Sequence, residues 1–228
     1  MKISTEFSKY AAYYGKYNII QERVAKKLVD TIQGSPQAVL DLGCGNGSVY
    51  KKLDWPLQIF IGVDFAQGML SLHPKDEHIT CMYGDFNDAK LFRYLQRYSF
   101  DYIISASALQ WADDLQSVSR NIAALNAPVA LAIFTSGTFQ TLNQTAKLQP
   151  LLRSSQEIQK IQEDYFPDAH FELVQYKLVF DSVREMFRYI KKSGVSGSRR
   201  VLSYKETKKL MQSYPLNYLE FEVAFIVH

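Results

Sequence analysis

An acid, a run of alternating glycines and two further acids carry most of the chemistry legible in this chain. Asp41-Leu42-Gly43-Cys44-Gly45-Asn46-Gly47 follows directly on a short apolar stretch. Glycines at alternate positions let a backbone turn tightly and let a ligand approach it closely. In dinucleotide-binding folds such a loop cradles pyrophosphate at a helix N-terminus. Here a carboxylate stands two residues before the first glycine and would repel a phosphate. It suits a ligand that places a cation nearby, such as an ammonium or a sulfonium. Asp64 ends a second apolar stretch, where a carboxylate can accept from both hydroxyls of a ribose. Gly84-Asp85-Phe86 follows a third. That acid can accept from an adenine amine while the phenyl ring packs on the base. One such acid is often only a turn or a helix cap. Three strand tips with an acid in register point to a bound nucleoside.

The elements that must position these residues follow from periodicity. Residues 19–33 carry Ile20, Val24, Leu28 and Ile32 on one helical face, and Gly34-Ser35-Pro36 stops the helix. Buried apolar strands are expected over 38–42 and 59–64, as in a parallel sheet covered on both faces, with further strands over 79–83, 100–105 and 128–135. Helices are expected near 47–54, 66–72 and 114–125. Strands alternating with helices argue a doubly wound α/β sheet. The last third differs: two strand-like stretches, 171–180 and 218–227, flank a polar helical segment over 182–212. Residues 136–165 read as an inserted loop and helix that could cover the ligand end of the sheet.

Composition excludes several classes. The chain has 228 residues, 47% hydrophobic and 21% charged, which is ordinary for one globular domain. Lys and Arg number 26 against 23 Asp and Glu, so no dedicated nucleic-acid binder is expected. The longest apolar run, Pro128 to Phe134, is too short to span a bilayer. Met1 to Glu6 lacks the apolar segment of a secretory signal, and a cytoplasmic location is expected. Cys44 and Cys81 make neither a disulfide framework nor a zinc pattern, and the four histidines are scattered, so no metal is expected. Cationic side chains crowd residues 184–209, from Arg184 and Arg188 through Lys191, Lys192, Arg199 and Arg200 to Lys205, Lys208 and Lys209. This stretch is either a solvated helix face or a landing site for an acidic partner.

The loop and the acids resemble class I S-adenosylmethionine-dependent methyltransferases. Asp41 to Gly47 resembles their first motif, and Val63-Asp64-Phe65-Ala66-Gln67-Gly68-Met69-Leu70 their segment after the second strand. Gly84-Asp85-Phe86 resembles the adenine motif and Phe100 to Ser105 the fourth strand. The resemblance spans about 36–135, with one departure: Leu125-Asn126-Ala127-Pro128 stands where the family has a glycine turn. It implies a Rossmann-like, mostly parallel, seven-stranded sheet over a single domain of 1–228. An N-terminal helix would precede a cofactor core at 36–135, and helical lid segments would lie at 136–170 and 182–212. S-adenosylmethionine would be held by Asp41, Gly43, Cys44, Gly45, Asp64, Phe65, Met69, Asp85, Phe86 and Ser105.

A narrower resemblance runs nearly end to end. Phe7 to Tyr14 with Gln21, Ser105-Ala106-Ser107-Ala108-Leu109-Gln110-Trp111, Phe134 to Phe139, Lys192 to Val195, Arg200 to Ser203 and Tyr214-Pro215-Leu216-Asn217-Tyr218 resemble the malonyl-acyl carrier protein O-methyltransferases of biotin synthesis. The Gln-Trp pair is shared with trans-aconitate methyltransferases, which leaves a free small carboxylic acid as the alternative acceptor. The resemblance implies methylation of the malonyl carboxylate on acyl carrier protein by a monomer. An ionised carboxylate needs no general base, and none is named. Tyr14, Gln110, Trp111, Arg199 and Arg200 are the candidates for holding the acceptor, the arginines because a guanidinium binds carboxylate bidentately.

Overall fold

The computed structural model describes residues 17–193 and 203–228. Its centre is one seven-stranded sheet: β1 (Ala38–Leu42), β2 (Ile59–Asp64), β3 (Ile79–Tyr83), β4 (Tyr102–Ala106), β5 (Val129–Phe134), β6 (His170–Val179) and β7 (Tyr218–Val227). The strand order is β3-β2-β1-β4-β5-β7-β6. The first five strands are parallel, and β7 runs antiparallel to both β5 and β6. The order reverses between β1 and β4, and in doubly wound sheets ligands bind beyond the strand ends at that switch point.

Eight helices flank the sheet among the described residues: α1 (Ile19–Asp30), α2 (Gln67–Leu70), α3 (Ala89–Leu95), α4 (Leu115–Ala123), α5 (Gln140–Ala146), α6 (Ser155–Tyr165), α7 (Val183–Ser193) and α8 (Tyr204–Ser213). Alternate residues of each strand feed two separate cores. Val39, Phe60, Ile104, Ala130 and Ala132 face α1, whose Ile20, Val24 and Leu28 are wholly buried. Leu40, Ile61, Ile103, Leu131 and Ile133 face α3, α4 and α6. Burying one such side chain is worth about 1.5–3 kcal/mol, so both stripes of every central strand hold the sheet in register.

One expectation needs correction. No α-helix forms over 47–54. Gly47, at φ +80°, still belongs to the turn, and Leu53 is already extended ahead of Pro56, so only a 3-10 turn over Tyr50–Lys52 fits between. Within 136–170, α6 packs on α4 and the sheet with Ile158 buried, and the stretch between β5 and α6 is left as the candidate cover. No described helix is long and apolar enough to cross a membrane.

Candidate functional site

Beyond the carboxyl ends of β1, β2 and β4 lies a cleft of about 690 Å3, its open mouth included. The glycine loop forms its floor. Gly43 and Cys44 both donate their N–H to the carbonyl of Val63, at 2.8 and 3.1 Å, which folds the loop over the end of β2. Gly43 stands at φ +80°, and a methyl group there would overlap Cβ of Ala108 in the loop after β4. Glycine is therefore required both for the turn and for the approach of the two loops across the switch point.

The three acids are staggered rather than level. The register pairs Asp41 with Gly62 and Asp64 with Tyr83, so each acid lies two residues further along its strand than the one before. At about 3.3 Å per residue, that is a step of about 7 Å each time. Exposure follows the steps. Asp41 is 0% exposed, Asp64 is 8% exposed and Asp85 is exposed. The expectation of an acid in register at each tip fails because Asp41 sits inside its strand and Asp85 stands beyond the end of its own.

Each acid consequently has a different condition. Asp64 anchors the floor: its carboxylate accepts from Gly45 N–H at 2.9 Å and from Ala66 N–H at 2.7 Å. Burial pushes this carboxyl up from its ordinary value, while N–H donors from Ala66, Gly45 and Phe65 pull it back. A carboxylate has about four lone-pair positions, so room remains for a ligand hydroxyl. Asp41 has no hydrogen-bond partner on either oxygen. Burial drives it up to about 7, against a lowering by His73 and a further raising by Asp64. Asp85 is exposed and holds Asn87 through its backbone and side-chain nitrogens, both at 2.9 Å. Its neighbour Phe86 is buried and lines the wall.

The remaining walls come from α1 and the loop after β4. Asn18 and Gln21 line the cleft just before and within the first turn of α1. Asn18 donates to Glu22, which also accepts from Ser48 and pairs with Lys52, so α1 is tied to the far end of the glycine loop. Burial raises the Glu22 carboxyl, but the hydrogen bonds from Lys52 and Ser48 outweigh it and the group lies below its ordinary value. Ser107, at φ +61°, has a buried hydroxyl without a partner. Trp111 completes this side. Arg153 donates to the carbonyls of Ala112 and Asp113 at 2.7 and 3.0 Å, pinning the segment before α6 to the same loop.

Of the residues singled out from the sequence, Gly43, Cys44, Gly45, Asp64, Phe65, Met69, Phe86 and Trp111 line the cleft. Asp41 lies buried and outside that lining, and Asp85 stands outside it. Ser105 is not on the wall: it is wholly buried and donates to the carbonyl of Leu42 at 2.7 Å, locking β4 to the end of β1. Gln110 is also buried and donates to the carbonyl of Ser107, so it shapes the strained turn. Tyr14, Arg199 and Arg200 lie outside the described residues.

Sequence reasoning missed one constellation. Ligand atoms of Cys44, His73 and Cys81 lie within 4.8 Å of one another. The Cys44 thiol donates weakly to the carbonyl of Gly45 at 3.9 Å. The neighbouring thiol and burial push Cys44 up, while Cys44 and His73 bring Cys81 down to about 5. Spacings of 44, 73 and 81 match no metal or redox pattern, and only the fold brings the three together.

The residues present fit S-adenosylmethionine. A buried carboxylate without partners suits a ligand that carries an ammonium and a sulfonium. The Gly43 approach leaves bare backbone along the floor, and Asp64 retains acceptor capacity for a ribose. Comparisons with known proteins agree. Residues 40–134 match a family described as methyltransferase domain. The malonyl-[acyl-carrier protein] O-methyltransferase of Bacillus anthracis is 26% identical over 234 residues, spanning 92% of this chain and 86% of that protein. The enzyme of the same description from Acetivibrio thermocellus is 25% identical, over 93% of this chain and 85% of its own. Among solved structures, YcgJ of Bacillus subtilis superposes with a TM-score of 0.62 at 14% identity, covering 90% of this chain and 98% of that one. A geranyl diphosphate methyltransferase in complex with its methyl donor gives 0.53 at 13%, over 91% and 85%. These two likenesses concern the fold.

Proposed function

We propose that the chain, an S-adenosylmethionine-dependent methyltransferase of the class I fold, takes as its acceptor the free carboxylate of malonyl-acyl carrier protein. The observation that carries this reading is the extent of the likeness: the carrier-protein enzymes align over more than nine-tenths of the chain, well beyond the matched domain. The described helices add support. Arg184 and Arg188 on α7 and Lys205, Lys208 and Lys209 on α8 are all exposed, a surface suited to an acidic protein.

When bound, the cofactor supplies an electrophilic methyl group on a sulfonium. We assign its cationic end to the neighbourhood of Asp41 and the glycine loop, its ribose to Asp64, and its base to Phe86 with Asp85 beside it. The chain's task is then alignment in a dry cleft, because in-line displacement by an ionised carboxylate needs no proton removed. Trp111 and the constrained turn at Ser107 supply part of the cleft wall. We assign the acceptor side to the segment before α6 together with α7 and α8. By resemblance, Tyr14, Arg199 and Arg200 hold the acceptor carboxylate. Capping that charge gives an ester that can enter chain elongation as a primer. The test is mass spectrometry of malonyl-acyl carrier protein incubated with enzyme and S-adenosylmethionine. A gain of one methyl, with free malonate and trans-aconitate untouched, is expected. Methylation of the free acids instead would move the acceptor to the small-acid class.

A further inference from the structure

The thiols of Cys44 and Cys81 and the imidazole of His73 come from three separate elements. Cys44 belongs to the glycine loop, His73 to the turn after α2, and Cys81 to the edge strand β3. Gly62 is what lets them meet. A Cβ at that position would stand 2.9 Å from Sγ of Cys44, so the thiol occupies the space a side chain on β2 would fill. Gly62 pairs with Cys81 in the sheet, and paired residues of neighbouring strands project from the same face. The two sulfurs are thereby side by side.

His73 is 3% exposed and is held in one orientation. Its Nδ1 lies 2.9 Å from the carbonyl of Pro74, and its ring packs against Phe60 at 5.6 Å between centroids. The other nitrogen, Nε2, is buried without a hydrogen-bond partner. Histidine ligands of metals are commonly fixed in this way, one ring nitrogen on a carbonyl and the other left open. Asp41, also buried and unpartnered, is close enough for its charge to act on His73. Two sulfurs and one imidazole nitrogen within 4.8 Å of one another form a donor set suited to a cation, with the Asp41 charge nearby.

We propose that Cys44, His73 and Cys81 bind a Zn2+ ion beneath the cofactor loop, with water completing a tetrahedron on the exposed Cys81 side. Sulfur and imidazole donors select a borderline-soft ion, and three protein ligands leave one position open. As the ion binds, thiols still protonated release their protons to solvent and two thiolates coordinate. The ion ties the glycine loop to β3 through Cys44. This inference does not depend on which acid is methylated.

The test uses the full chain without a tag, reduced and stripped by a chelator. Calorimetric titration with Zn2+ is expected to show one equivalent bound, and Co2+ to give a thiolate-to-cobalt charge-transfer band. Cys81→Ser, at an exposed position, should melt as the wild type does without metal, yet bind Zn2+ at least about tenfold more weakly. Cys44→Ala should abolish the cobalt band. Absence of stoichiometric binding would overturn the proposal, as would equal Zn2+ affinity in Cys81→Ser. Mild oxidation that yields a Cys44–Cys81 disulfide in protein unable to take up Zn2+ would replace it with a redox pair.

Discussion

Replacing Asp41 by asparagine isolates the cost of the unpartnered carboxylate. Burial raises this group from 3.8 to about 7. A group whose native value is raised favours the folded state when protonated. Its stabilisation is therefore present below about pH 4 and is lost as the pH rises through about 7. At about 1.4 kcal/mol for each tenfold change, the whole difference amounts to about 4 kcal/mol. About 3 kcal/mol of it falls between pH 5 and pH 8. The amide of the variant carries no charge, so its own burial cost is the same at both ends. The quantity to measure is the gap in unfolding free energy between Asp41→Asn and wild type, from urea denaturation with chelator present and no cofactor. The gap should move in favour of the variant by about 3 kcal/mol on going from pH 5 to pH 8. At pH 8, where the native carboxylate is ionised, the variant should also bind S-adenosylmethionine more weakly, because the charge complementary to its cationic end is gone. A gap that stays constant with pH would show that Asp41 is not held protonated by its surroundings, and the argument would fail.

Further outcomes follow from the same geometry. Gly43→Ala places a methyl on Ala108 in a left-handed conformation, and thermal melting should show a loss of more than about 2 kcal/mol. Asp64→Ala frees the N–H groups of Gly45 and Ala66, and the cofactor dissociation constant from calorimetry should rise at least tenfold, about 1.4 kcal/mol. Ser105→Ala removes the bond to Leu42 and leaves a buried carbonyl without that donor, at a cost of about 1–3 kcal/mol in denaturant unfolding with the cofactor contacts intact. Reversing Lys205, Lys208 and Lys209 to Glu should raise KM for malonyl-acyl carrier protein, as added salt should for wild type, and leave cofactor affinity unchanged.

The strands were legible because a parallel sheet buried on both faces demands unbroken apolar runs. Ala38–Leu42 and Ile59–Asp64 appear where the pattern places them, whereas the edge strand Ile79–Tyr83 is largely exposed. The helix at 47–54 was misread because its residues tolerate helix while Gly47 and Pro56 leave it no length. Within the site, types and spacing sufficed for the glycine loop and Asp64. They could not show that Ser105 bonds to a carbonyl instead of facing the cleft, since that depends on which way a β4 side chain points. The Cys44, His73 and Cys81 cluster was invisible for another reason. It depends on an absent side chain at Gly62, and no local pattern reports an absence on a neighbouring strand.

The place of β7 bears on the order in which the nascent chain can mature. β6 is synthesised before α7 and α8, yet its sole neighbour in the described sheet is β7, which comes after them. Until β7 leaves the ribosome, β6 has nothing to pair with, and the helices between them have no finished surface to rest on. The parallel strands β1 to β4 carry no such dependence. Yet β7 also supplies Leu219, Phe221, Val223 and Phe225 to the core beneath α1, so the wall that α1 lends the cleft gains its full packing only with the last strand of the chain.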